Sequence, residues 1–231
     1  MRCLKILVTT FLLLSFFHVN VLAQLGLRGG INLSKFVGAD ATGAEEVMGL
    51  NAGFSVRLIN IGPVSIVPEI YYAEKGTRFS DQIRALQTFN PDLTPGIDNY
   101  ELEFNLAYIE VPVLLRLNLP FLSTNVVHPY IGAGPVFAWR IECNFSFTSG
   151  DVEVTARDCA DRNFPDAETA FKEADRGYVI NSGIDFQVPF IGTLTLDARY
   201  TRGLERVRES AINNDIQNQS FTLMLGYTYD F

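Results

Sequence analysis

From Phe221 to the end of the chain every second residue is large and apolar: Phe221, Leu223, Leu225, Tyr227, Tyr229 and Phe231, with Thr222, Met224, Gly226, Thr228 and Asp230 between them. A period of two marks a strand with one apolar face. The same period recurs along the chain and predicts eight strands, over residues 25–36, 49–59, 64–79, 100–117, 129–141, 177–188, 193–203 and 220–231. Their connections alternate in kind. Residues 60–63 (NIGP), 118–128 (NLPFLSTNVVH) and 189–192 (PFIG) are short and contain turn formers. Residues 37–48, 80–99, 142–176 and 204–219 are polar and longer than ordinary hairpin loops. An even strand count with tight turns at one end and long loops at the other predicts an all-β fold, an eight-stranded antiparallel up-and-down transmembrane β-barrel. Both termini then fall on the turn side, in the periplasm.

Alternation alone does not say whether the apolar face points inward, as in a soluble barrel, or outward to lipid. The opposite face decides. It carries Arg28, Gly30, Asn32, Asn51, Gly53, Ser55 and Arg57 early in the chain, then Ser65, Glu69, Tyr71, Glu110 and Arg116. Gly132, Gly134, Arg140, Asn181, Gly183, Asp185, Asp197 and Arg199 follow. An eight-stranded barrel has an interior just wide enough for side chains, so glycines beside long arginines suit the inside. The apolar face (Leu50, Phe54, Leu58, Ile131, Phe137, Trp139, Phe186, Leu194, Leu196) has almost no charge and suits lipid. Closure of the last strand on the first leaves no unpaired edge in hydrocarbon. By parity Arg28, Arg57, Arg116, Arg140 and Arg199 share the lumen with Glu69, Glu110, Asp185 and Asp197, near charge balance, which predicts a structural ion network plugging the barrel. Two features strain the assignment. Pro68, Pro112 and Pro135 fall inside strands, where each removes a ladder donor. The apolar parity also shifts between Phe104–Tyr108 and Ile109–Leu117, which predicts a bulge near Ala107.

The N-terminus changes the picture of location. Arg2 and Lys5 flank the start of ILVTTFLLLSFF, and Val-Leu-Ala precedes Gln24, the pattern of a secretory signal peptide covering residues 1–23. The apolar run is too short to span a bilayer as a helix. The barrel domain is therefore expected over residues 24–231, exported to the outer membrane. Gln24, not cysteine, follows the cut, so no lipid-modified terminus is expected. Cys3 leaves with the signal, and Cys143 and Cys159, near or within the longest loop, become a disulfide candidate in an oxidising compartment.

Candidate chemistry is sparse. Outer-membrane enzymes usually need a histidine near the outer mouth. Here His18 lies in the signal and His128 in a predicted periplasmic turn. No catalytic, cofactor or metal residues are assigned. Gly132–Ala–Gly134 lacks the third glycine and following helix of a nucleotide loop. The acidic run 158–166 (DCADRNFPD) lacks the glycine and ligand spacing of a calcium loop. A net charge of −8 argues against nucleic acid. Residues 165–174 have the Pro, Asp and Glu early and Lys late of a short helix.

Several stretches resemble the small outer-membrane β-barrel family of the Bacteroidetes, often called PorT-like. They are LGLRGGINLS from Leu25, PEIYYAEKG from Pro68, YIEVPVLLRL from Tyr108, PYIGAGP from Pro129, LTLDARYTRGL from Leu194 and the terminal GYTYDF. The resemblance implies an eight-stranded outer-membrane barrel, and it implies that Phe231 belongs to the signal read by the barrel-assembly machinery. Some relatives assist protein secretion. The expectation is a non-enzymatic envelope protein acting through extracellular loops or as a structural element. Its expected partners are outer-membrane lipid, the assembly machinery, and other envelope or secretion proteins. The alternatives are a secretion accessory and, third, an outer-membrane enzyme.

Overall fold

The computed structural model describes residues 24–80, 100–149, 152–158, 171–207 and 215–229. Eight long strands form the barrel: β1 (Gln24–Val37), β3 (Val47–Arg57), β5 (Val64–Ser80), β6 (Tyr100–Asn118), β7 (Val127–Ser149), β9 (Ala174–Val188), β10 (Gly192–Gly203) and β11 (Gln217–Tyr229). Three short strands, β2 (Ala44–Glu45), β4 (Ile59–Ile61) and β8 (Val152–Asp158), attach to them. Each long strand pairs antiparallel with its sequence neighbour in the ring. The ring closes where β1 meets β11, from Leu25↔Tyr229 to Val37↔Gln217. The expected signal peptide and Phe231 lie outside the described residues.

Side chains sort by parity. On β11, Phe221, Leu223, Leu225, Tyr227 and Tyr229 are exposed outward, while Asn218, Ser220, Thr222, Met224 and Thr228 are buried within. Glycine permits the tight curvature at two inward positions. A Cβ on Gly30 would sit 2.0 Å from the Leu223 carbonyl oxygen, and one on Gly53 would sit 1.9 Å from that of Ile70.

The prolines are accommodated by lapses in the ladders. The β5–β6 pairing stops at Pro68↔Val113 and resumes at Tyr71↔Glu110. The β6–β7 pairing stops at Pro112↔Val136 and resumes at Leu115↔Ala133. Each lapse resumes in the same register, so the missing N–H groups interrupt bonds without shifting any face. The β3–β5 pairing is short, ending at Asn51↔Ala73. Above it Asn32 Nδ2 donates to the Glu74 carbonyl (2.7 Å), the Leu50 N–H donates to Glu74 Oε2 (2.8 Å), and the Gly76 N–H donates to Ser34 Oγ (2.8 Å).

A register shift does occur at Ala107/Tyr108, but the extra residue belongs to β7: Ala107 faces Glu142, Tyr108 faces Arg140, and Ile141 is left between. On β6 no side chain changes sides. Leu102, Phe104, Leu106, Tyr108, Glu110, Leu114 and Arg116 are all buried, so one face looks inward along the whole strand. What reverses is its surroundings. Below Tyr108 the strand passes lipid and is apolar outside. Above Tyr108 it passes water and is apolar inside, with Glu101, Glu103 and Asn105 turned out. The shift in apolar parity marks the edge of the hydrocarbon rather than a flip in the strand.

The residues expected as the longest loop are partly strand. β7 runs to Ser149 and forms a hairpin with β8. The expected helix over 165–174 is not formed in its described part, where Phe171 is a bridge residue and Ala174 opens β9; residues 165–170 lie outside the described residues.

Candidate functional site

The interior of the described barrel is where buried ionisable side chains converge, and it is layered. Nearest the short-turn end of the barrel, Asp185 of β9 pairs with Arg116 of β6 and with Arg57 of β3 at 3.2 Å. Thr195 Oγ1 donates to Asp185 Oδ1 (2.8 Å), and Arg57 Nη1 donates to Gln24 Oε1 (2.8 Å). The Arg116 guanidinium lies 3.4 Å from the Tyr130 ring centroid, in cation–π contact.

The next layer joins five strands, β1, β5, β7, β9 and β10. Glu69 of β5 accepts from both Nη1 and Nη2 of Arg199, the latter at 3.1 Å, and pairs with Arg28 of β1 at 3.1 Å. Asp197 pairs with Arg199 Nε at 2.5 Å and with Arg28 at 3.6 Å. It also accepts from the Tyr130 hydroxyl and from Asn181 Nδ2 (2.7 Å). The Glu69 side chain is 0% exposed and that of Asp197 1%. Buried charges at this depth are tolerable only when paired and hydrogen-bonded.

A third layer holds Lys75 paired with Glu110 beneath the Tyr108 ring, with Asn218 Nδ2 donating to Asp175 Oδ2 (3.0 Å). Above it the lining turns apolar. Phe36, Phe79, Leu102, Phe104, Leu106, Cys143, Phe171, Val207 and Ile216 form one buried cluster. Phe36, Phe104 and Phe171 form a triangle of rings, with centroid separations of 6.3 Å (Phe36–Phe104), 5.4 Å (Phe104–Phe171) and 6.2 Å (Phe36–Phe171). This cluster caps the lumen at the end opposite the short turns.

Arg140 stands apart from the carboxylates. Its position beside the β7 bulge carries the guanidinium toward Phe171 and Lys172, whose carbonyls accept from it at 3.2 and 3.4 Å. Lys75 fills the cationic place instead. The alternation Ser65, Glu69, Tyr71 extends to Lys75 by simple parity, so the signal was present in the sequence. Tyr130, Thr195 and Asn218 share the inward parity of Gly132, Asp197 and Thr222, but as neutral residues they carry no charge pattern that marks them as members of an ion network. His128, expected in a turn, is the second residue of β7 opposite Asp185, and its Nε2 is buried with no hydrogen-bond partner. Cys143 is buried in the cap; Cys159 lies outside the described residues. Asp158, its neighbour in sequence, pairs with Asn144, the neighbour of Cys143. Among the described residues no cluster of three His, Cys, Asp or Glu is placed to hold a metal.

A closed eight-stranded barrel, apolar outside over a bilayer's depth and filled by paired charges, defines the class of small membrane-spanning β-barrels. The chain belongs to the family described as "Outer membrane protein beta-barrel domain", whose pattern matches residues 21–208. It is an outer-membrane β-barrel protein. No curated protein matches it. Among solved structures it is similar to the Neisserial surface protein A, at 11% identity and a TM-score of 0.45, covering 90% of this chain and 99% of that one. It is also similar to OprG from Pseudomonas aeruginosa (13%, TM-score 0.44, 91% and 98%) and to Ail of Yersinia pestis (13%, TM-score 0.40, 90% and 99%). Likeness at this level carries no functional assignment.

Proposed function

We propose that the protein is a non-enzymatic, non-conducting outer-membrane barrel that acts through its extracellular loops or as a structural element of the envelope. The supporting observation is the filled lumen: three layers of paired charge beneath an aromatic cap. A channel would show one dominant sign along an open path. In this reading residues 1–23 are removed on export, both termini lie in the periplasm, and Phe231 takes part in recognition by the assembly machinery. Planar-bilayer recordings of the refolded protein should give no steady current. A stable conductance comparable to a porin would overturn the reading.

A second reading, a PorT-like accessory to protein secretion, is favoured by the periplasmic rim. Two adjoining turns, linked by the Gln187 N–H donating to the Val126 carbonyl at 2.8 Å, expose Phe121, Leu122, Val126, Phe190 and Ile191 together. Phe190 is held there at φ +67°, a conformation costly for a bulky residue. Pull-down from solubilised envelopes discriminates: recovery of secretion components favours this second reading, and their absence the first.

The cysteines give a separate expectation. Asp158 pairs with Asn144, and each is the sequence neighbour of a cysteine, Cys159 and Cys143. A Cys143–Cys159 disulfide would close a loop of about 15 residues and stabilise the crown by about 3 kcal/mol in the entropic account. Mass mapping without reductant should recover the bridged peptide; alkylation of both thiols under those conditions would refute it.

A further inference from the structure

The outer wall carries a groove of about 640 Å³ that crosses β6, β7, β9 and β10. Its floor is Ala133, Ser182 and Ala198, small residues facing outward, and its walls include Ile131, Ile180, Tyr200 and Phe221. Register explains the shape. Ser182 pairs with both Ile131 and Ala198, and Ala133 pairs with Ile180, so the three short side chains meet across adjacent strands among large ones. The groove is continuous with the lipid-facing wall.

Its upper end is polar in a particular way. The Tyr200 hydroxyl donates to Gln219 Oε1 at 3.2 Å, and the same oxygen accepts from Arg202 Nη1 at 3.0 Å. Arg202 Nη2 donates to Gln217 Oε1 at 2.8 Å. Tyr178 packs against Tyr200, their centroids 6.4 Å apart. Other cations on the outer face of the crown meet glutamates: Lys35 with Glu46 at 3.1 Å, Arg78 with Glu101 at 3.0 Å, and Arg176 with Glu205 at 2.7 Å. Arg202 meets no carboxylate among the described residues. Two neutral amide oxygens fix its orientation and leave its charge uncompensated, with three of its five N–H donors unused. It stands at the hydrocarbon edge, four residues above Ala198 on the same face.

We infer that this wall is a binding site for a phosphate-bearing lipid of the outer leaflet, with the phosphate on Arg202 and an acyl chain in the groove under Tyr200. The charge selects the headgroup, since a guanidinium with free donors matches phosphate in both sign and geometry. The continuity of the groove with the lipid-facing wall selects the tail. The inference rests on membrane insertion of the barrel.

The test is native mass spectrometry of the refolded, detergent-solubilised protein titrated with dioleoyl phosphatidic acid or with dioleoylglycerol, which has the same tails and no phosphate. The wild type should retain the phosphatidic acid about tenfold more tightly, for one well-placed charged pair in the range typical of such contacts. Arg202→Gln should abolish that preference while leaving dioleoylglycerol retention unchanged. Ala198→Leu, which fills the groove floor, should weaken retention of both lipids. Equal retention of the two lipids by the wild type, or a preference that survives Arg202→Gln, would overturn the site. So would a dimer that forms through the groove in place of bound lipid. Refolding into vesicles, followed by gel mobility, separates the two levels. A protein that inserts but shows no preference sinks only the lipid site, whereas failure to insert sinks the barrel reading with it.

Discussion

Glu69→Ala should destabilise the barrel by about 3–5 kcal/mol, the range for breaking a buried pair by removing one partner. Glu69 is fully buried and is the only carboxylate that holds Arg199 through both terminal nitrogens while also pairing with Arg28. Its removal leaves two buried guanidinium groups sharing Asp197, which already serves Tyr130 and Asn181. Three strands are involved, β1, β5 and β10, so the loss is spread around the ring. Glu103→Ala is the matched control. Glu103 accepts from Arg78 on the outer face of β6, with side chains 19% and 39% exposed, where such pairs contribute about 0–1 kcal/mol. Urea unfolding of both variants in lipid vesicles, read by gel mobility, gives the comparison. If Glu69→Ala falls within the range of the control, the lumen is hydrated enough to solvate its ions, and the plug fails as an explanation for a closed pore.

Phe104→Ala should cost a comparable amount, about 3–5 kcal/mol, for a different reason: it removes one ring of the aromatic triangle in the cap and leaves a cavity beside Phe36 and Phe171. The loss should be local. The cap lies above the ion layers and outside the hydrocarbon, so amide exchange should accelerate in the outer half of β6 and in the segment around Phe171. The portion of β6 beside lipid should keep its protection. Uniform acceleration along β6 would show that the crown and the membrane section unfold as one unit. A cost under 1 kcal/mol would show that the cap is loosely packed and seals nothing.

Much of this architecture was legible before any coordinates. Strand number, ring closure and the inward face of β1, β5, β9 and β10 follow from alternation, because lipid on one side and a narrow lumen on the other leave little freedom in parity. The crown was harder. At Leu102, Phe104 and Leu106 the apolar period continues while the medium outside changes from hydrocarbon to water, and a strand pattern contains no marker for that change except the polar partners Glu101, Glu103 and Asn105. Arg140 was placed among the ions by parity alone. Its distance from any carboxylate depends on the single extra residue Ile141, which no local rule assigns to β7 rather than β6. The prolines were legible as a difficulty but not in their solution. Two ladders lapse and resume in register because neighbouring strands hold the alignment, and that is information from the whole ring.

The crown also sets a height. β7 continues from Trp139, on the lipid-facing wall, to Ser149. Ten residues at about 3.3 Å each, inclined by about 40°, lift the strand tip about 25 Å above the hydrocarbon edge. That distance exceeds the thickness of a lipid headgroup layer, so whatever the β7–β8 hairpin carries is held clear of the membrane surface on a stiff mast. A soluble macromolecule approaching that side of the membrane would meet this tip before it met any lipid.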